Sequence, residues 1–415
     1  PLERGVLYVG TDDGNVRVSR DDGGNWVDVA DGAQGLPTDS WINGIEASRF
    51  MTGRVYLAAN NYRNDDFGNY LFSSEDYGKT WRDLAAGLPP GQVVRTVRED
   101  PRNPDVLYVG TEFGAFYSTD RGESWMKLDL GLPTAAVNDL VIHPRDNDLL
   151  LGTHGRGIWI LDQINALQEM DRAEGSAVHL FSTEPAEQIR YRSEKGHAGN
   201  MIFRGTNPPG GAILDFWLAE EDQGAELTIR DQAGEVVASV PVREQKGVNR
   251  VTWNLRHSEP DQPGGAQPRG PLVVPGSYTV RLESEGAVSE TTLEVREDPR
   301  IQVDMATRRQ WTQDLLALGS LSREAAEGAQ EMRALVDRVE SDPAFREALS
   351  EWSGDLLRQW NELRNRTRGL AREVEGWVGP LSGDQASRRD YYREMVGTLQ
   401  REAAAIAQRI GGAGR

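Results

Sequence analysis

The stretch SRDDGGNW at residues 19–26 returns as SSEDYGKTW at 73–81 and as STDRGESW at 118–125. Each copy places Ser, Asp, Gly and Trp at the same spacing, and we call it the Ser-Asp-Gly-Trp box. Its members are Ser19, Asp21, Gly23 and Trp26, then Ser74, Asp76, Gly78 and Trp81, then Ser118, Asp120, Gly122 and Trp125. The copies could form a metal loop, a catalytic acid or a repeated piece of scaffold.

The box belongs to a longer repeat over residues 1–165. A strand-like run ending near Gly-Thr precedes each box, and Gly-Leu-Pro follows it. A period of about 42–55 residues with four short strands per unit is typical of β-propeller blades. The predicted units are three strands of one blade at 5–30, complete blades at 41–84 and 93–128, and the start of a fourth at 137–162. Because a ring needs about four blades or more to close, we expect further blades upstream of residue 1.

Elementary chemistry favours a structural role for the box. Gly supplies a backbone conformation that other residues avoid, Asp and Ser bond to backbone N–H groups in the turn, and Trp buries a large ring between adjacent strands. The alternative is calcium binding by DDGN (12–15) and RDDGGN (20–25). These stretches lack the ligand spacing of a known calcium loop. We predict no metal and no cofactor.

Composition excludes several classes of function. The 415 residues suffice for two to four domains, and the net charge of −19 disfavours nucleic acid and anionic membranes as partners. The chain has no Cys, which excludes disulfides and thiolate metal sites. No apolar run approaches the ~20 residues of a membrane span.

Two further regions follow the repeat. Residues 177–300 alternate apolar and polar residues in about seven short strands, which predicts an immunoglobulin-like β-sandwich with Trp253 and Tyr278 in its core. Residues 304–410 show helical apolar stripes, which predict a three-helix bundle or hairpin with a helix start at Ser341-Asp342-Pro343. Three tryptophans mark the second helix and its end, and they could pack inside the bundle or against a partner. They are Trp352, Trp360 and Trp377; Phe345 and Leu349 belong to the same stripe.

The box resembles the Asp-box, or bacterial neuraminidase (BNR) repeat, of sialidases, xyloglucanases and sortilin-type receptors. The first copy departs from that pattern, since Asn25 replaces Ser or Thr. The chain resembles more closely the C-terminal part of large exported bacterial proteins with a sortilin-like propeller, often labelled "glycosyl hydrolase". The motifs that carry this resemblance are NDLVIHPRDNDLLLGTHGRGIWILDQI (138–164), NPPGGAILDFWL (207–218), GVNRVTWNLR (247–256) and VPGSYTVRL (274–282). The resemblance implies a mainly β protein with an α-helical C-terminus, secreted or periplasmic, with a signal peptide upstream.

In this class, ligands are usually met in the central tunnel or on the face opposite the boxes, at the loops joining second and third strands. The candidate ligand-binding residues on these loops are Asp12, Asp13, Tyr62, Arg63, Asp65, Asp66, Phe67, Glu112, Phe113, His154 and Arg156. The loop ANNYRNDDFGNY (59–70) is the longest and could equally be a solvated insertion. His154 and Arg156 could act as a base and an anion clamp, or belong to a tight turn with Gly155 and Gly157.

The sequence therefore predicts an extracytoplasmic binding or scaffold protein that recognises a peptide, protein or glycan. The alternative is a glycoside hydrolase whose catalytic carboxylates lie largely on the missing blades, because acids are plentiful but no catalytic pair is identifiable. A third hypothesis places the interaction site on the helices. No HExxH, GxSxG or phosphate-binding glycine loop is present.

Overall fold

The computed structural model describes residues 2–129, 131–189, 205–221, 224–242, 245–259, 266–341 and 355–413. The strands of the repeat are β1 (Leu7–Gly10), β2 (Val16–Ser19), β3 (Val27–Asp28), β4 (Trp41–Ala47), β5 (Val55–Asn61), β6 (Asp66–Ser74), β7 (Arg82–Asp83), β8 (Val94–Glu99), β9 (Leu107–Thr111), β10 (Gly114–Ser118), β11 (Met126–Lys127), β12 (Val137–Ile142), β13 (Leu149–Thr153) and β14 (Ile158–Leu161). Two four-residue helices follow, α1 (Asn165–Gln168) and α2 (Met170–Ala173).

These strands form a row of antiparallel sheets, each folded from consecutive strands. The sheets contain β1–β3, β4–β7, β8–β11 and β12–β14. They coincide with the partial and complete blades that the sequence repeat predicts. Successive sheets pack face to face, because each buried cluster in this region draws on two neighbouring sheets.

Strand β5 shows why the central strands of these sheets consist of continuous runs of apolar residues. Leu57 and Ala59 face the first sheet, while Tyr56 and Ala58 face the third. Side chains alternate between the two faces of a strand, so a sheet covered on both faces needs apolar residues at every position. The stacking of sheets therefore dictates the composition of the repeat.

Each box forms a turn closed by its own side chains. In the second copy, the Gly78 N–H donates to Ser74 Oγ at 2.8 Å, and the Ser74 hydroxyl donates to Asp76 at 2.9 Å. The Thr80 N–H donates to Asp76 at 2.9 Å. Gly78 has a φ of 87°, a left-handed conformation that favours glycine. The predicted structural role of the box matches this geometry.

The box tryptophan links one sheet to the sheet before it. The Trp81 Nε1–H donates to the carbonyl of Val29 at 3.0 Å, and the Trp125 Nε1–H donates to the carbonyl of Leu84 at 2.8 Å. The prediction that the ring lies between adjacent strands is therefore corrected: it lies between adjacent sheets. Trp26, in the first box, is 39% exposed, and its Nε1 makes no hydrogen bond within the described ranges.

The next region contains two further sheets that share one buried cluster. Its strands are β15 (Val178–Leu180), β16 (Ala186–Glu187), β17 (Ala212–Leu218), β18 (Glu226–Arg230), β19 (Val236–Val240), β20 (Gly247–Trp253), β21 (Gly276–Ser284) and β22 (Ala287–Arg296). The sheet orders are β15-β17-β20 and β16-β22-β21-β18-β19. Trp253 and Tyr278 are buried with ring centroids 5.8 Å apart, which confirms them as core residues. The immunoglobulin-type arrangement stays a prediction.

Three long helices end the chain: α3 (Met305–Ser341), α4 (Asp355–Glu375) and α5 (Gly383–Ala413). Helices α3 and α4 are antiparallel, since Trp311 near the start of α3 donates to the carbonyl of Val374 near the end of α4. Trp360 is buried, whereas Trp377 is exposed, so the predicted tryptophan stripe is not continuous. Asp342, Pro343, Phe345, Leu349 and Trp352 lie outside the described residues. None of the described helices has an apolar stretch long enough to cross a bilayer.

Two arginines join the regions to one another. Arg308 of α3 is 1% exposed and donates to Glu297 at 2.7 Å, to Gln188 at 2.8 Å and to the carbonyl of Val273 at 3.0 Å. Arg250 of β20 pairs with Asp215 at 2.7 Å. The same guanidinium donates to the carbonyls of residues 162 and 163, directly after β14.

Removal of one tryptophan hydrogen bond should weaken the stack of sheets. We expect Trp125→Phe to lower the free energy of unfolding by about 1 kcal/mol, because it deletes the bond to Leu84 while keeping most of the ring. Trp26→Phe is the matched control, since its indole N–H is not bonded within the described part of the chain. Urea unfolding followed by circular dichroism measures both, and equal effects of the two substitutions would contradict the proposed link.

Candidate functional site

The loops that join second and third strands lie together at one end of the four sheets, which we call the rim. They are the β1–β2, β5–β6, β9–β10 and β13–β14 connections. Because neighbouring strands are antiparallel, these connections lie at the end opposite the box turns, which precede β3, β7 and β11. We call the end that carries the box turns the box face. On this side Asn103 donates to the carbonyl of Gln168 in α1.

Two arginines and two aromatic rings stack at the rim. The Arg63 guanidinium lies 3.8 Å from the centre of the Trp41 ring and 5.0 Å from that of Tyr62. The Arg95 guanidinium lies 4.6 Å from the Tyr62 ring, and Arg95 Nε donates to Glu112 at 2.9 Å. We call these five residues the arginine–aromatic stack. It brings together the predicted Tyr62, Arg63 and Glu112.

Sequence reasoning missed Trp41 and Arg95, which begin or nearly begin the first strands of their sheets, β4 and β8. The recurring motifs of the repeat do not include these first strands, so the sequence pattern indicates only the loops as candidate binding residues. A signal was nevertheless present. Both residues lie where the chain enters a new sheet. The connection from the last strand of one sheet to the first strand of the next reaches the rim, as the second-to-third loops do.

The two arginines differ in the charge they can offer. Burial acts to lower the pKa of Arg95, but hydrogen bonds with Glu112 and Tyr62 outweigh it and raise that pKa. Its charge is neutralised locally by Glu112. Arg63 is exposed and forms no ion pair with any described residue. The guanidinium of Arg63 is therefore held in place by rings and available to an external anion.

Three aromatic rings at the rim are exposed. They belong to Trp41 at the start of β4, Phe67 near the start of β6 and Phe113 in the loop after β9. Exposed aromatic rings offer flat apolar surface to a sugar face or to an apolar side chain. The rim thus combines a free cation with stacking surfaces.

The sequence predicts a long loop at 59–70, but β5 continues to Asn61 and β6 begins at Asp66, so only residues 62–65 connect the two strands. Asp66 accepts hydrogen bonds from Asn61 at 3.0 Å, Tyr70 at 2.7 Å and the Gly68 N–H at 3.0 Å. The bond from Asn61, followed by that from Tyr70, lowers the pKa of Asp66. Asp65 has a φ of 58° and ends a single helical turn that begins at Tyr62. Asp66 therefore shapes the loop that positions the stack.

The His154 and Arg156 loop does not join the stack in the described structure. Gly155 and Gly157 have φ values of 75° and 79°, and the carbonyl of Arg156 accepts a hydrogen bond from Trp159 at 3.0 Å. This geometry is that of a tight turn, the alternative that the glycines suggested. The side chains of His154 and Arg156 are exposed.

The acids of the first loop are likewise apart from the stack. Asp13 is bonded by the Thr11 hydroxyl and by Asn15 at 2.6 Å, and the bond from Thr11, followed by that from Asn15, lowers the pKa of Asp13. Asp12 is exposed. Across the described ranges, no group of three or more His, Asp or Glu residues is placed to hold a metal ion.

A second group of charges follows the first strands of the sheets. Arg98 of β8 donates to Asp139 of β12 at 2.7 Å, so it joins neighbouring sheets. Burial raises the pKa of Glu46 in β4, although Arg98 and Arg49 act to lower it. Sequence reasoning missed this group, because a partly buried acid cannot be distinguished from a solvated one by spacing alone.

Residues 69–174 match the model of the Sortilin-Vps10 family, described as "Sortilin, neurotensin receptor 3". These residues are therefore similar to part of a sortilin-type propeller. This confirms the resemblance seen in the sequence, and the stacked antiparallel sheets agree with it. The match begins within β6 and runs to α2, so it includes the β9–β10 and β13–β14 connections of the rim but not Trp41, Tyr62 or Arg63.

The chain is also similar to solved propeller structures at low identity. A GH74 xyloglucanase from Xanthomonas campestris is 15% identical, with 68% of this chain and 46% of that chain covered and a TM-score of 0.32. An ancestral GH74 enzyme is 15% identical, with 71% and 40% covered and a TM-score of 0.31. YCF48 bound to a D1 peptide is 12% identical, with 71% and 78% covered and a TM-score of 0.26. The chain thus spans less than half of either GH74 enzyme, and no curated protein matches it.

Asp66 and Asp65 should respond differently to substitution. We expect Asp66→Ala to expose the amide of Gly68 and to lower the free energy of unfolding by about 1–2 kcal/mol, because it leaves three donors without their acceptor. Asp65→Asn, which keeps a residue that tolerates the left-handed conformation, should have little effect. Hydrogen exchange of the 61–70 segment measures both. Unchanged exchange in Asp66→Ala would show that the loop is held by other contacts.

Proposed function

We propose that this chain is part of an extracytoplasmic binding or scaffold protein whose sortilin-like propeller recognises a peptide, protein or glycan at the rim. The observation that carries this proposal is the guanidinium of Arg63, held 3.8 Å above the Trp41 ring and not ion-paired with any described residue. Function on such proteins is commonly carried by loops on a rigid scaffold. We place the protein outside the cytoplasm, secreted or periplasmic.

The chemistry of the rim favours a ligand with an anionic group next to an apolar or flat surface. Arg63 can bind a carboxylate with two parallel hydrogen bonds, and Phe67 and Phe113 offer exposed aromatic surface at the same rim. Peptides with acidic or C-terminal carboxylates and acidic glycans both meet these requirements. Because Arg63 already rests on aromatic rings, little side-chain entropy is lost when it binds.

The remaining regions support the rim in this proposal. We propose the domain division 1–165, 177–300 and 304–410, with the sandwich and the helices acting as a support on the box face. Arg102 pairs with Glu184, and Asn165 donates to Glu184 at 2.9 Å. These contacts attach the second region beneath the third and fourth sheets and leave the rim open.

Loss of the Arg63 guanidinium should weaken ligand binding. We expect Arg63→Ala to reduce affinity about tenfold or more, because hydrogen bonds to a charged group contribute roughly 1.5–3 kcal/mol. An array of acidic peptides and glycans, followed by titration calorimetry of the best ligand, measures the effect.

Arg20→Ala is the matched control for this substitution. Arg20 also lies over an aromatic ring, at 3.9 Å from the centre of Tyr77, but next to the first box at the opposite end of the sheets. Its removal should leave affinity unchanged. If Arg20→Ala weakens binding as much as Arg63→Ala, or if neither does, the rim is not the binding site.

The runner-up function is glycoside hydrolysis, and one observation favours it. Burial raises the pKa of Glu46, and a carboxyl group that stays protonated at higher pH is suited to act as a general acid. Asp139, which pairs with Arg98 at 2.7 Å, is a candidate for the second carboxylate. Other carboxylates of such an enzyme would lie on blades outside this chain.

Glu46→Gln separates the two functions. If the complete protein releases reducing sugar from a panel of soluble polysaccharides, we expect this substitution to lower the rate at least a hundredfold, because it removes the proton donor. Hydrolysis by the unmodified protein should decline as pH rises through the raised pKa of Glu46. No release of sugar, or release untouched by the substitution, would exclude Glu46 as the acid while leaving binding at Arg63 testable by itself.

A further inference from the structure

We propose that the helical end of the chain carries a second binding site, a groove between α3 and α5 that accepts a basic amphipathic helix of a partner protein. The groove has a volume of about 290 Å³. It is remote in sequence from the rim and does not depend on the function proposed there. Recognition of an amphipathic helix by a groove between helices is a recurring mode of protein binding.

The floor of the groove is apolar. Met332 and Leu335 come from α3, Trp360 from α4, and Ala403 and Ala407 from α5. The alanines keep this stretch of α5 thin, so that α5 does not fill the space above the indole ring. Apolar surface of this kind is covered when the apolar face of a helix lies on it.

The indole of Trp360 points to a missing acceptor. Trp360 is 1% exposed, yet its Nε1 has no hydrogen-bond partner among the described residues. Trp311, on the same bundle, donates from Nε1 to the carbonyl of Val374 at 2.9 Å. A Cβ placed on Gly328 would lie 2.6 Å from Cε2, the ring atom bonded to Nε1, so only glycine allows α3 to approach here. A buried unpaired N–H is costly, and an oxygen of a bound partner would satisfy it.

The rim of the groove is acidic. Glu324, Glu327 and Glu331 follow one another on α3 at spacings of three and four residues, which places them on one helix face. None of them forms an ion pair within the described part of the chain. Lysine or arginine on the bound helix would supply the missing cations. The net charge of −19 opposes a second copy of this chain or an anionic membrane as the occupant.

The test uses the full chain and a fluorescent amphipathic peptide of about five helical turns, with leucine on one face and lysine on the other. The same peptide with glutamate in place of lysine is the reference. We expect the lysine peptide to bind and the glutamate peptide to fail. Replacement of Glu324, Glu327 and Glu331 together by Gln should weaken binding roughly fivefold, because each exposed ion pair contributes little by itself.

Glu394→Gln is the matched charge control, since Glu394 is exposed on α5 and does not line the groove. The affinity of this variant for the lysine peptide should be unchanged. If Glu394→Gln and Glu327→Gln weaken binding equally, the peptide is attracted by net charge alone and the proposal is wrong. Self-association of the chain in sedimentation experiments without peptide, abolished by Ala404→Arg, would assign the groove to a second copy and would also overturn it.

Trp360→Phe distinguishes binding from packing. The substitution removes the unpaired N–H but keeps an aromatic ring. We expect peptide affinity to fall about fivefold, whatever the cavity left by the smaller ring does to the melting temperature. A lower melting temperature with unchanged affinity would show that the indole serves only the core of the bundle.

Discussion

The structure depends on one contact, the insertion of a box tryptophan into the preceding sheet. Trp81, which is partly buried, and Trp125, which is buried, each join two sheets with a hydrogen bond to a backbone carbonyl. A single β-sheet of this size cannot bury both of its faces by itself. The repeated contact helps to hold against each face the neighbour that it needs.

This constraint explains how chemistry is distributed between the two ends of the sheets. At one end the acids of the boxes are occupied by hydroxyl and backbone donors, so they are unavailable for a ligand. At the other end the loops have no such repeated structural role, so their sequences can differ from sheet to sheet. The arginine–aromatic stack arises there because neighbouring loops and first strands are brought within contact distance by the stacking itself.

The sequence predicts most of the architecture and part of the site. The box spacing predicts the sheets and their order, since each box marks a turn at a fixed point of the repeat. The loop residues Tyr62, Arg63 and Glu112 were predicted, whereas Trp41 and Arg95 were not, because their approach to the loops depends on how neighbouring sheets pack. His154 was selected for its chemistry, yet side-chain type says nothing about the distance to other residues. The position of Asp66 among three donors required coordinates in the same way.

The burial of Arg308 constrains how this protein and its relatives can evolve. Its guanidinium is removed from water, and most of the groups that accept its hydrogen bonds, Glu297, Gln188 and the carbonyl of Val273, lie outside the helices, whereas Thr312 lies on its own helix. A chain that lost the helices would leave Glu297 and Gln188 without their partner, and helices without the two sheets of β15–β22 would expose the apolar side chains that share one buried cluster with them. These two sheets and the helices should therefore be inherited as a single unit.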